Sequence, residues 1–566
     1  MQIQPPARPR ARLVKAVACA AALSIALATA TWSSPGAASP PPGSSVVRAA
    51  FYFGSANPVD MWSSDLHGAN AAFRKMRADG FSAVELPVPW GEFQEHVNPA
   101  SYNTAAFTRL GSLVAIADSL HLQVVLRLSY GQDVDPNDRS PDRFVSLFSD
   151  PAVYRSWLGY ITRVHQTIAK YHNVKIAQLS WEDFWQSISD AQRATTVAER
   201  MNLATTTGYR AWLRVNYSLA AVSSLYRTTF TSWSDVPTPP SDDPNFSLMF
   251  RYFDWALVHR LFMPAAARFP GLNLEARVDA DPLYSGSNVV GSYPHDATFT
   301  LPGTSYIGMY FAPYLGDPST SKTESASSAL TALQTMLASM RARSGNRRLF
   351  IFEYEIVSNS LEVASNPALP PKEISPFLLA SAPILARFTL GYSLWTYRDY
   401  HLSPLYNPDF ALGTQAWRVT GASKPARSGG GPALSLAAGS KVQQQVPLPF
   451  LNIKAGPSAT VTFDATSSGS APALLDVSLG GGPAQRIVVA PGTGTYHVQQ
   501  PIPATGTSAT LAISAVSPVT IAHIRVYNYS QIGDVYTADG TPAIGAAPLR
   551  TMNQELALGT ATGVHR

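Results

Sequence analysis

From Val47 to about Tyr400, short apolar runs alternate with longer stretches whose apolar residues recur every three or four positions. Eight runs read as strands: 47–53, 82–88, 122–129, 174–181, 272–279, 305–311, 348–354 and 392–395. Several are apolar on both faces, as strands of a buried parallel sheet are. The three-and-four spacing predicts helices over 65–80, 105–120, 151–172 and 328–343, with Gly80 a C-terminal stop for the first. Eight β/α alternations predict a (β/α)8 TIM barrel over 47–406 with an enlarged fourth connection. A doubly wound open sheet competes, but no glycine-rich phosphate loop follows the first strand.

Near Asn407 the pattern changes. Residues 407–530 lose the helical spacing and become rich in Gly, Ser, Thr, Ala and Val, with short alternating runs such as ATVTFDA and IAHIRVYN between turn residues. This predicts an all-β sandwich of the jelly-roll type. The tail, 531–566, is weakly patterned and receives no assignment, and no internal repeat is visible.

The start of the chain changes how its charge is read. Residues 1–38 carry Arg8, Arg10, Arg12 and Lys15, no acid, an apolar run from Ala16 to Trp32, and small-residue sites around Ala30 and Ala38. This predicts a secretory signal peptide followed by a 39–46 linker, and a secreted, periplasmic or cell-surface destination by bacterial export. The competing reading is an uncleaved anchor, but the run sits at the short edge of a bilayer span. The formal charge is +5, so losing these four basic residues leaves +1. The basicity therefore gives no argument for nucleic-acid binding. The single cysteine, Cys19, leaves with the leader, so neither a disulfide nor thiolate chemistry is expected. With 46% hydrophobic and 14% charged residues in 566, the chain is globular and long enough for two or more domains.

A barrel presents its site where its strands end on their C-terminal side. The fourth run ends in Trp181-Glu182-Asp183 and the seventh in Glu353-Tyr354-Glu355. Two carboxylates facing each other across a barrel mouth are what glycoside hydrolysis needs: one protonates the leaving oxygen, and the other attacks the anomeric carbon or activates water. Trp90, Trp181, Tyr310 and Trp395 fall at strand ends, where flat rings suit the C–H faces of a sugar. Arg127 and Arg277 lie inside apolar strands and must be paired. Glu85 and Glu275 are available partners, and Arg127, Arg277 or Arg398 could hold Glu353 ionised. His295 and His401 are isolated, so no metal site and no cofactor is expected.

On these residues the chain resembles the large clan of retaining TIM-barrel glycoside hydrolases. That resemblance makes Glu182 the acid/base, Glu353 the nucleophile, Tyr310 the strand-six tyrosine and Trp395 the strand-eight tryptophan. Trp90, Arg127 and Trp181 join Tyr310 and Trp395 as candidate substrate-binding residues, with Asp183 and Glu355 as alternative catalytic acids. Residues 209–260 are similar in cadence to the same region of family 42 β-galactosidases. The segment NPDFALGTQAW (407–417) resembles the opening strand of jelly-roll carbohydrate-binding modules. The implied function is hydrolysis of O-glycosidic bonds in a poly- or oligosaccharide, with no nucleic acid and no membrane span after leader removal. Trp181 stands where the clan usually has Asn, which keeps open a second reading, a non-catalytic carbohydrate-binding protein on the same scaffold. A barrel lyase is a third.

Overall fold

The computed structural model describes residues 46–54, 58–129, 143–180, 187–188, 191–276, 283–285, 288–291, 295–301, 306–311, 325–356, 369–448, 451 and 456–559. Eight parallel strands close a barrel: β1 (Val47–Phe51), β2 (Ala83–Pro89), β3 (Gln123–Ser129), β4 (Val174–Leu179), β5 (Leu272–Ala276), β6 (Tyr306–Phe311), β7 (Arg348–Glu355) and β8 (Thr389–Trp395). Each pairs with its sequence neighbours, and β1 pairs with β8. Every residue of β2 and of β5 is buried, because side chains fill the inside and helices cover the outside.

Helices α1 (Ala69–Ala78), α2 (Thr104–Ser119) and α3 (Pro151–Ile168) follow the first three strands. The Asn103 side chain caps α2 by accepting from the Ala106 N–H. Asp150 caps α3, with Pro151 in the first turn. Along α3, Val153, Trp157, Tyr160, Ile161, Val164 and Ile168 form one buried stripe. The long fourth connection holds several short helices before α4 (Ser247–Ala256). After β5 there is a one-turn helix, Asp296–Phe299; α5 (Ala326–Arg343) and α6 (Pro371–Phe388) follow β6 and β7.

No helix follows β8 directly. The chain enters the sandwich and returns 150 residues later as α7 (Ala546–Leu558). This helix packs along α6 and buries Leu549, Met552 and Leu556. Its Asn553 accepts from the Tyr392 hydroxyl of β8 and donates to the Asp79 carbonyl at the end of α1 (2.9 Å). Arg550, Tyr397 and Tyr536 converge on the Asp79 carboxylate at 2.7, 2.6 and 2.8 Å. Gly80 is required here twice over: its φ is +86°, and a Cβ would stand 2.8 Å from that of Asn553. The tail left unassigned by its sequence is thus the eighth outer helix. The barrel expected to end at residue 406 is completed by residues beyond the sandwich.

The sandwich has two five-stranded antiparallel sheets between Arg418 and Tyr527. Its core is apolar, built around Leu434, Val461, Phe463, Leu475, Val477, Ile513 and Ile521. One expectation is corrected: 407–417 is not an opening strand. Asn407, Phe410 and Ala416 have positive φ, and the Asn407 amide bonds the Gly413 and Gln415 carbonyls (3.0 Å each) and the Leu412 N–H (2.9 Å). A side chain that satisfies the backbone locally replaces the ladder of a strand. This coil is also the joint: the Asn407 N–H donates to Ser63, the Asp65 N–H donates to Asp409, and Asp409 pairs with Arg525 at 2.9 Å. Trp417 and Phe410 lie in the sandwich core. Entry and exit are clasped where Tyr400–His401 pairs with Ser530–Gln531. Among the described residues no helix is long and apolar enough to cross a membrane.

Candidate active site

The site forms around an irregularity in β7. On the β6 side Met309 pairs with Ile351 and Tyr310 with Glu353, skipping Phe352; on the β8 side the register shifts between Ile351 and Tyr354. This is a β-bulge, and it re-aims side chains. Phe352 faces inward, its ring 4.2 Å from the Arg127 guanidinium. Plain alternation would send Glu353 outward. The bulge instead places its carboxylate 3.0 Å from Arg127 Nη2, only 2% exposed. Tyr354 then turns out, stacked on Phe377 of α6 and donating to Ser381 (2.9 Å). Glu355 comes back to the Glu353 side, 6% exposed and paired in register with Trp395.

Arg127 of β3 is fully buried. The same Nη2 that meets Glu353 lies 3.6 Å from Glu275 of β5, and the guanidinium also sits 5.6 Å from the Phe51 ring. Two carboxylates and two aromatic faces thus hold one cation in the barrel interior, an arrangement a buried charge requires. Glu85 of β2 is fully buried as well. Burial pushes its carboxyl well above the usual range, Arg127 draws it partly back, and Glu353 and Glu275 push it further up. Gly308 of β6 makes room for this layer: a Cβ there would lie 1.8 Å from the Gln178 amide oxygen and 3.0 Å from Phe352.

Trp395 closes β8 at the rim, edge-on to Phe51 (4.9 Å) and Tyr400 (5.7 Å). The candidates Trp181, Glu182 and Asp183 lie outside the described residues, as do Arg277 and the side chain of Tyr310. What leads into them is described: Ser180, at the end of β4, is buried with φ of +93°, a left-handed conformation rare for a residue with a side chain.

Three expectations change. Trp90 starts a one-turn helix after β2 and is fully buried, its indole N–H on Gln94 (2.5 Å) and Gln94 on Ser156 (2.5 Å); this is a packing position. Arg127 is fully buried with Nη2 3.0 Å from Glu353, so it positions a carboxylate. Arg398 is drawn away to the Ala538 carbonyl and does not hold Glu353. His401 stacks on Tyr527 (3.8 Å) and bonds Ser530 (2.8 Å). His295 lies 3.5 Å from Asp254. Both are away from the Arg127 cluster. Among the described residues no group of three or more His, Cys, Asp or Glu could hold a metal ion. Sequence reasoning missed Gln178, Gly308 and the bulge. Gln178 and Gly308, polar and small residues inside otherwise apolar runs, were the available signals.

Fold and interior together define a closed (β/α)8 barrel with a charged core and a β-sandwich carried between its eighth strand and eighth helix. No family model matches the chain. No curated protein matches it by sequence. Solved structures resemble it in chain trace. An exo-β-1,4-mannosidase from Opitutaceae bacterium strain TAV5 aligns at 15% identity over 63% of this chain and 53% of its own, with a TM-score of 0.38. This chain therefore covers about half of that enzyme. An endo-1,4-β-mannanase from Rhizomucor miehei aligns at 10% identity over 62% and 86%, with a TM-score of 0.36. A carbohydrate-binding module solved with β-1,4-galactotriose aligns at 19% over 22% and 97%, with a TM-score of 0.18. These are likenesses of fold alone, so chemistry has to be argued from the residues.

Proposed function

We propose that the protein is an exported glycoside hydrolase acting on a poly- or oligosaccharide by a retaining two-carboxylate mechanism. The observation that carries this reading is the Arg127–Glu353 pair, set by the bulge of β7 on the inside of the barrel next to the strand bearing Trp395. Glu353 attacks the anomeric carbon while Glu182 protonates the departing oxygen. Glu182 then takes a proton from water, which releases the sugar from Glu353. Arg127 orients the attacking carboxylate. The basic, then apolar, leader supports export. The family 42-like cadence of 209–240 and 250–260 supports a β-galactoside.

The test is a panel of aryl β-glycosides and polysaccharides, with the first-formed anomer read by NMR. Turnover with retention is expected, together with its loss in Glu353→Gln and Glu182→Gln. Inversion would remove the double displacement. A second reading, a glycan-binding protein without turnover, draws on Trp181 in the place of the clan's Asn. Glycan binding by a wild-type protein that hydrolyses nothing on the panel would favour it.

A further inference from the structure

In the two-step mechanism proposed above, the charge of Glu353 disappears midway. Its carboxylate oxygen forms a bond to the anomeric carbon, the bond to the leaving oxygen breaks, and Glu182 supplies the proton. The resulting ester is neutral, yet Arg127 stays buried and charged beside it. A buried guanidinium needs an anion close by. Something in the interior has to answer that charge while the ester lives.

The geometry points to Glu275 as the positioning residue that takes over Arg127 during the covalent intermediate, an inference that rests on Glu353 being the nucleophile. Glu275 Oε1 lies 3.6 Å from Arg127 Nη2, the nitrogen whose hydrogen bond goes to Glu353 at 3.0 Å. It is close enough to attract the cation and just too far to share the bond at rest, so a shift of about half an ångström completes the exchange. The guanidinium has little freedom to move elsewhere, since Phe352 and Phe51 flank it. Of the other titratable groups among the described residues on the inner strands, burial raises the Glu85 carboxyl and the Tyr306 phenol, which disfavours the charged form of each. Glu355 lies two residues further along β7, toward the rim. Gly308 pairs in register with Glu275, so β6 places no side chain beside it at that level.

The experiment follows the two half-reactions separately in the full-length protein. It uses a 2,4-dinitrophenyl 2-deoxy-2-fluoro-β-glycoside of whichever sugar the panel selects. Formation of the labelled enzyme reports the first step, and recovery of activity after removing the reagent reports the second. Glu275→Gln is expected to form the ester about 100-fold more slowly and to release it faster than wild type, because the intermediate depends on the Glu275 charge more than the resting enzyme does. Glu275→Asp should show the same opposed changes, smaller than 10-fold, and it carries the test if the Gln variant does not fold. Equal slowing of both steps, or no change in either, would overturn the inference, since a merely structural role slows both. A wild-type protein that is never labelled, or is labelled away from Glu353, removes the nucleophile assignment itself and is read before any Glu275 variant.

Discussion

The two halves of this molecule fill their interiors in opposite ways. Inside the sandwich stand Phe463, Val461, Leu475, Val477, Ile513 and Ile521, and its buried Arg525–Asp409 pair sits at the joint with the barrel. Inside the barrel, Glu85, Arg127, Gln178, Glu275 and Glu353 are all buried, and all but Glu85 stand in the C-terminal half of their strands. An apolar core is the cheaper way to stabilise a fold, since a buried ion pair rarely gains more than its desolvation costs. The charged layer therefore points to chemistry, while the sandwich interior points only to stability. The contrast also shows why the two depend on each other: the barrel's last helix lies beyond the sandwich, so the second domain must fold compactly for the first to close.

The largest expected effect that would sharpen this contrast is in activity. Glu353→Gln should lower kcat by roughly 10^4–10^6-fold in aryl-glycoside assays. Phe463→Ala in the sandwich should leave kcat of the folded enzyme within a factor of a few. A comparable loss from both would erase the distinction. Next, Arg127→Met should destabilise by about 3–5 kcal/mol, because it leaves Glu353 and Glu275 without their shared cation, as read by urea unfolding. Phe463→Ala should cost a similar 3–5 kcal/mol, but by opening a cavity. The two can be told apart by salt and pH, to which only the arginine variant should respond.

The smallest effects concern pH, and they run in opposite directions. Glu85 holds its proton to higher pH in the folded state than in the unfolded one, where it titrates near pH 4.3. The folded state then binds more protons, and stability falls as pH rises above that value. Glu85→Gln removes this dependence, so its Tm should gain on wild type from pH 5 to pH 8. At the joint, burial beside Arg525 and His497 lowers His401 to about 4. The unfolded state takes up the proton first, so this stabilisation is present above pH 6.5 and is lost as pH falls toward 4. After allowance for solvent screening it is about 1 kcal/mol. In His401→Phe that acid-side loss should disappear, and an unchanged Tm profile would remove the histidine from the joint's energetics.

Much of the architecture could be read from local pattern. All eight barrel strands and the four expected helices lie where their spacing put them, because burial on two faces or on one stripe writes its period directly into the sequence. The pairing of Arg127 with acids could be anticipated from burial alone. Other features had no local signal. Trp90 read as an aromatic at a strand end; only its bond to Gln94, itself held by Ser156, and its full burial place it in the core. Residues 407–417 read as a strand through their resemblance to the opening of jelly-roll binding modules, while the side-chain bonds of Asn407 coil them.

The sequence by itself determined the period of each element, the break in character near residue 407, and which side chains had chemistry to offer. Tertiary structure decided the bulge that turns Glu353 inward, the choice of Glu353 and Glu275 as partners of Arg127, and the use of the tail as the eighth helix. The physical reason is range. Periodicity reports a residue's exposure within a few neighbours. A register shift, a shared cation or a closing helix is set by groups that are from about 40 to more than 400 residues apart in the chain and meet only when the ring of strands closes.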